Sequence, residues 1–157
     1  VFEQGIADAQ RVCIVGWSYG GYAALIGVVK EPQLYRCAVS IAGVSDLSQL
    51  ARDDERFYGG RVETQESTGT DKALLQAESP VLHADRIKVP VLLVHGEQDY
   101  TVQVDQSQAM AKALARNGVK NELVVIKDGE HSLREPDMRL MLYRKLTEFL
   151  APNLGAP

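Results

Sequence analysis

The chain has 157 residues, of which 45% are hydrophobic and 24% charged, the composition of an ordinary soluble globular domain with apolar material for one sizeable core. Its formal net charge of -4 and the lack of any Lys/Arg cluster exclude nucleic acid and a polybasic membrane contact as partners. The longest apolar run, Val89 to Val94 with Pro90 inside it, falls far short of the roughly 20 residues needed to span a bilayer.

Val1 is preceded by no Met and followed by no signal-peptide pattern, so the chain reads as a piece of something longer; a cytoplasmic location is expected. Arg11 to Trp17 is a short apolar run rich in β-branched residues that reads as a buried strand. Tyr19 to Val29 follows as a helix whose face is Tyr22, Leu25, Ile26 and Val29, with Pro32 marking the exit. Cys37 to Gly43 is a second buried strand, closed by a Gly-Val-Ser-Asp turn. Cys13 and Cys37 lie inside these apolar runs and read as small buried hydrophobes. A disulfide framework is not expected, although a single bridge between neighbouring strands stays open.

From Leu47 to Ser79 the periodicity is poor and the stretch reads as a loop-rich insertion, with a short helix over Lys72 to Ala77. Val89 to Gly96 is the third strand, with Pro90 near its start, where a missing amide matters least. Val104 to Ala115 is helical and Asn117-Gly118 ends it. Leu123 to Lys127 is the fourth strand and Pro136 to Leu150 a last amphipathic helix. Strands that are near-continuous apolar runs alternating with helices define an α/β fold, a parallel sheet covered by helices. Chemistry in such sheets gathers at the carboxyl ends of the strands.

Gly16-Trp17-Ser18-Tyr19-Gly20-Gly21 fits G-x-S-x-G and lies between a strand and a helix, the context in which a sharp turn presents a serine hydroxyl above a sheet. The amide of Tyr19 then faces the same space as an oxyanion donor. A serine alcohol needs an adjacent base, itself oriented by an acid. In the α/β-hydrolase order of Ser, acid, His, only His131 of the three histidines follows the candidate acid Asp99. Asp99 and His131 come just after the third and fourth strands. Glu97 and Asp105 are the competing acids, His95 reads as a hydrogen-bonded structural histidine, and His83 as a surface or packing residue. No Cys/His spacing suggests zinc and no phosphate-binding loop is present, so no cofactor or metal is implied.

Nearly the whole chain resembles the prolyl oligopeptidase family, especially its dipeptidyl-peptidase and acylaminoacyl-peptidase branches. The resemblance rests on Gly16 to Tyr22, on Ser79-Pro80 leading into Ile87 to Asp99, on Gln106-Ser107 and on Gly129-Glu130-His131. It implies the C-terminal half of an α/β-hydrolase catalytic domain, a partial fold of about four strands. It further implies peptide hydrolysis through an acyl-enzyme, with Ser18 as nucleophile, Asp99 as orienting acid and His131 as general base. By the same resemblance, Tyr19, Val44, Leu47, Leu50 and Val102, with Tyr58 close by, wall an apolar substrate pocket suited to a Pro-like side chain.

The chain departs from the family in lacking the upstream strands and the β-propeller, and the upstream half normally supplies a second oxyanion donor. The strand before Ser18 is then left as an apolar edge, from which self-association into a homo-oligomer or a need for the missing half is expected. The expected ligand is a peptide. Ester and amide hydrolysis share the nucleophile, so a carboxylesterase or dienelactone-hydrolase-like enzyme stays open, as does a non-catalytic scaffold that keeps the fold.

Overall fold

A computed structural model describes residues 2–54 and 69–155. Its centre is a four-stranded parallel sheet in the order β1-β2-β3-β4, formed by β1 (Cys13–Trp17), β2 (Cys37–Ile41), β3 (Val91–Gly96) and β4 (Asn121–Ile126). Among the described residues five α-helices accompany it: α1 (Tyr19–Lys30), α2 (Leu47–Asp54), α3 (Lys72–Ala77), α4 (Asp105–Arg116) and α5 (Pro136–Leu154). A 3₁₀ segment over Pro80–Arg86, kinked at His83, leads from α3 towards β3. Pro90 stands one residue before β3, with its carbonyl accepting from the Ala38 amide.

The period-two alternation of strand side chains sorts the sheet into two cores. Ala38, Val91 and Leu93 pack with Leu25, Val28 and Val29 of α1, Met110 and Leu114 of α4, and Ile87. Val39, Ile41, Leu92 and Val94 turn the other way onto Leu142 of α5 and Leu133, with Trp17, Leu146 and Phe149 at the margin. Helices thus cover both faces, as the near-continuous apolar strands require.

Four sequence expectations need correction. β1 is half-buried, with Val15 45% exposed, because its one partner strand among the described residues is β2. The buried face of α1 is Gly21, Ala24, Leu25, Val28 and Val29, whereas Tyr22 and Ile26 are half-buried; the face is wider than the apolar positions alone suggested because a glycine and an alanine complete it. The stretch after Asp46 is helical over α2, started by the Asp46 carboxylate accepting from the Gln49 amide at 2.9 Å, an N-cap. Finally, Cys13 and Cys37 are disulfide-bonded, the alternative the sequence left open. The register of β1 on β2 makes the two residues direct partners, with Cα atoms 4.7 Å apart, within reach of a bridge.

Candidate active site

Ser18 follows the last residue of β1 and precedes the first of α1, and its backbone sits at φ 58°, ψ -119°. A non-glycine residue there is strained, and the chain accommodates the strain through the glycines around it. A Cβ at Gly16 would overlap the carbonyl oxygen of Gly20, so the turn closes only with glycine at position 16. A serine just before a helix ordinarily caps it with its hydroxyl, yet Ser18 makes no such bond. Its Oγ lies 3.0 Å from Nε2 of His131 instead.

The other ring nitrogen of His131 lies 2.7 Å from Oδ2 of Asp99. A carboxylate accepts, so Nδ1 carries the proton and Nε2 is the bare nitrogen facing the serine O–H. Asp99 and His131 stand on loops leaving the adjacent strands β3 and β4. These loops are stitched by the Glu97 amide to Ile126 O at 2.9 Å and the Gln98 amide to Gly129 O at 2.8 Å. Their close approach depends on Gly96, where a Cβ would overlap the Gly129 carbonyl. Trp17, at the end of β1, donates its indole N–H to the carbonyl of His131 at 3.0 Å, so the Ser18 turn and the His131 loop are joined by main chain as well as side chain.

The Asp99 side chain is fully buried, and burial pushes its pKa up. The His95 and His131 imidazoles and the Val102 amide outweigh that, so the carboxyl is held below its ordinary value. Oδ1 accepts from the amides of Thr101 and Val102, each at 2.9 Å. The competing acids are engaged elsewhere: Glu97 accepts from the Asp128 amide and Asp105 from the Gln49 side chain. His83 is half-buried, with Nε2 3.3 Å from Gln76 O.

The amide of Tyr19 is the first of α1, one of the helix-start donors without an intrahelical acceptor, while the residue as a whole is 77% exposed. Val44 and Val102 are buried, and Leu47 and Leu50 of α2 half-buried. Tyr58 lies outside the described residues. A cavity of about 430 Å³ opens between α2 and α3, lined by Ser48, Ala51, Arg52, Lys72, Leu75 and Gln76 among others, and of the expected wall residues that are described, Tyr19, Val44, Leu47, Leu50 and Val102, none borders it. Among the described residues no group of three or more His, Cys, Asp or Glu side chains is placed to hold a metal. No helix of the described residues is long and apolar enough to cross a membrane.

Sequence reasoning passed over Trp17 and gave Gln106 and Ser107 no role. Gln106 Oε1 accepts from the amides of Ser45 and Asp46 at 2.9 and 2.7 Å, tying the β2–α2 turn to α4, and Ser107 bonds His95. Their signal was two polar side chains at the start of an amphipathic helix, each buried to within 1%, where polarity needs a partner.

A parallel sheet with a strained serine between strand and helix, and an Asp and a His on loops after later strands, defines the α/β-hydrolase class. Solved structures place the chain there: a Mycobacterium tuberculosis puromycin-hydrolyzing peptidase matches with TM-score 0.88 at 28% identity, over 98% of this chain and 23% of that one. The acylaminoacyl peptidase of Pyrococcus horikoshii matches with TM-score 0.84 at 26% identity, over 99% and 26%. The family model of the prolyl oligopeptidase family matches residues 1–157, and the chain belongs to that family. Among curated relatives, dipeptidyl aminopeptidase BIII of Pseudoxanthomonas mexicana is 30% identical over 98% of the chain. Dipeptidyl peptidase family member 6 of Caenorhabditis elegans is 29% identical over 98%. The chain spans about a quarter of the length of these relatives, 23% and 22% respectively.

Proposed function

We propose that the chain is the C-terminal half of the catalytic domain of a serine peptidase, hydrolysing peptide bonds of oligopeptides through an acyl-enzyme on Ser18. The observation that carries the reading is the continuous hydrogen-bonded line from Ser18 Oγ through the His131 ring to Asp99, at 3.0 and 2.7 Å, in the order nucleophile, base, orienting acid. Peptidases among the relatives support the amide over the ester as substrate.

In this reading the Ser18 oxygen attacks the carbonyl carbon as its proton passes to His131 Nε2, and the imidazolium is stabilised by Asp99. The oxyanion takes the Tyr19 amide. His131 then gives the proton to the departing amine, the C–N bond breaks, and the acyl group stays on Ser18. A water attacks the ester, losing a proton to Nε2; the bond from the acyl carbon to Ser18 Oγ then breaks, Nε2 returns the proton to that oxygen, and the carboxylic acid product leaves. Val44, Leu47, Leu50, Tyr58 and Val102 are proposed to face an apolar or Pro-like side chain of the substrate. The Cys13–Cys37 disulfide favours an oxidising compartment over the cytoplasmic location expected from the sequence, since such bonds are rare in reducing ones.

The test is intact-mass detection of covalent fluorophosphonate labelling, comparing this chain, its His131→Ala variant, and a longer chain restoring upstream residues. Labelling lost in the variant supports the reading. Labelling in the longer chain alone supports a catalytic half that needs its upstream partner, because one missing oxyanion donor costs about 10²- to 10³-fold. No labelling in any of them overturns the reading in favour of a non-catalytic scaffold.

A further inference from the structure

His95 is the other histidine beside Asp99. It sits on β3, is 0% exposed, and a buried imidazole needs both nitrogens satisfied. Nε2 lies 2.8 Å from the carbonyl oxygen of Val102, which only accepts, so Nε2 carries the proton and Nδ1 accepts from the Ser107 hydroxyl at 2.7 Å. Packing alone would be served by those two bonds. The same Nε2, however, stands 3.3 Å from Oδ2 of Asp99, the oxygen that also receives the His131 N–H at 2.7 Å.

We propose that His95 is a positioning residue which, held by Ser107, fixes the Asp99 oxygen that orients His131 and so acts on Ser18 through the acid. Two amides already hold Oδ1, but they leave the carboxylate free to tilt about that anchored atom. His95 counters the tilt through the positive edge of its Nε2–H, which is donated to the Val102 carbonyl and lies 3.3 Å from Oδ2. Val102 closes the frame, because its amide bonds Asp99 Oδ1 while its carbonyl bonds His95. Residues 95 to 102 thus close around the acid through the hydrogen bonds of Val102 and the 3.3 Å contact of His95, and α4 sets the outer end through Ser107.

This inference rests on the proposed role of Ser18, and the experiment separates the two. In the full chain, the fluorophosphonate labelling of wild type, His95→Leu and His95→Gln is resolved into a maximal rate and a half-saturating probe concentration, each variant also being made in an Asp99→Asn background. His95→Leu is expected to lower the maximal rate about 10- to 100-fold, the scale of a small misplacement in a catalytic array, with the half-saturating concentration unchanged. His95→Gln, whose side-chain amide presents an N–H close to where the imidazole Nε2–H stands, is expected to recover most of the rate. With Asn at position 99, His95→Leu is expected to cost no further rate, because the pair acts as one unit.

Equal losses in both backgrounds, or an undiminished rate in a folded His95→Leu chain, overturn the proposal. If His95→Leu does not fold, Ser107→Ala carries the test: a rate lowered only when Asp99 is present supports the proposal, and an unchanged rate overturns it. A wild-type chain that takes no probe even with its upstream residues restored overturns the nucleophile reading instead. The far-downfield proton resonance of the His131–Asp99 hydrogen bond then decides on its own, supporting the positioning role if it moves in Ser107→Ala and overturning it if it stays.

Discussion

The indole N–H of Trp17 donates to the backbone carbonyl of His131 at 3.0 Å, so the residue before Ser18 holds the main chain of His131. The two loops come from opposite edges of the sheet, β1 and β4, and the bond spans the catalytic edge between them. Trp17→Phe keeps most of the ring volume and removes the donor. The expected result is a loss of about 1 kcal/mol of stability and a fall of about tenfold in Ser18 labelling rate, read by denaturant unfolding and probe kinetics on the same sample. A labelling rate equal to wild type would show that the His131 loop holds its position without the indole.

Two glycines of the G-x-S-x-G motif make opposite predictions. Gly16→Ala is expected to cost about 3 kcal/mol or more, since its Cβ would overlap backbone that cannot swing away. Gly20 has open space where a Cβ would go and lies in the first turn of α1, so Gly20→Ala is expected to leave stability unchanged or raise it by up to about 1 kcal/mol. Thermal unfolding of the two variants distinguishes them, and equal destabilisation would contradict the packing described here.

That contrast marks what the sequence could and could not disclose. Ser18, Asp99 and His131 were legible because strand, turn residue and chain order are local signals, each visible as an apolar run followed by a polar residue. α2 was missed although Asp46 and Gln49 carry the spacing of a helix-start capping signal. The Gln49 side chain reaches Asp105 rather than turning back, and the run between is weakly apolar. The disulfide needed the strand register, which no periodicity supplies. His95 was recognised as hydrogen-bonded, but its neighbours Ser107 and Asp99 lie 12 and 4 residues away along the chain and meet it only once α4 packs on β3.

The pH dependence of stability should report Asp99. Its folded pKa is depressed below the ordinary value of 3.8, so the stabilisation it brings is fully present above that value and is lost as pH falls through the lower folded one. The difference in melting temperature between wild type and Asp99→Asn is therefore expected to be constant above about pH 5 and to shrink as the pH drops below the ordinary aspartate range. A difference that persists undiminished through that acid window would mean that the three hydrogen bonds to the carboxylate and the nearby His95 imidazole do not favour its charged form.

The bridge between β1 and β2 closes a loop with a sequence separation of 24 residues, for which the chain-entropy account gives about 3 kcal/mol of stabilisation. Unfolding with and without reductant should show a lower midpoint in the reduced chain. Alkylation in denaturant without reductant should modify neither Cys13 nor Cys37. Modification of both would restore the reading of two buried thiols.

The outer edge of β1 is where association is expected. Of the described strands only β2 pairs with it, and Val15 at its centre is 45% exposed, so apolar surface and unpaired backbone groups coincide there, the combination that recruits another strand. The proposal is that this edge takes either upstream residues of a longer chain or a second copy of this one. Light scattering of the chain alone is expected to show a mass rising with concentration. Val15→Lys should suppress that rise, because a charge on an open strand disfavours edge pairing, and it leaves the Ser18–His131–Asp99 line untouched. A monodisperse monomer at all concentrations would count against the edge as a site of pairing, and an unchanged rise in Val15→Lys would place the contact on another surface.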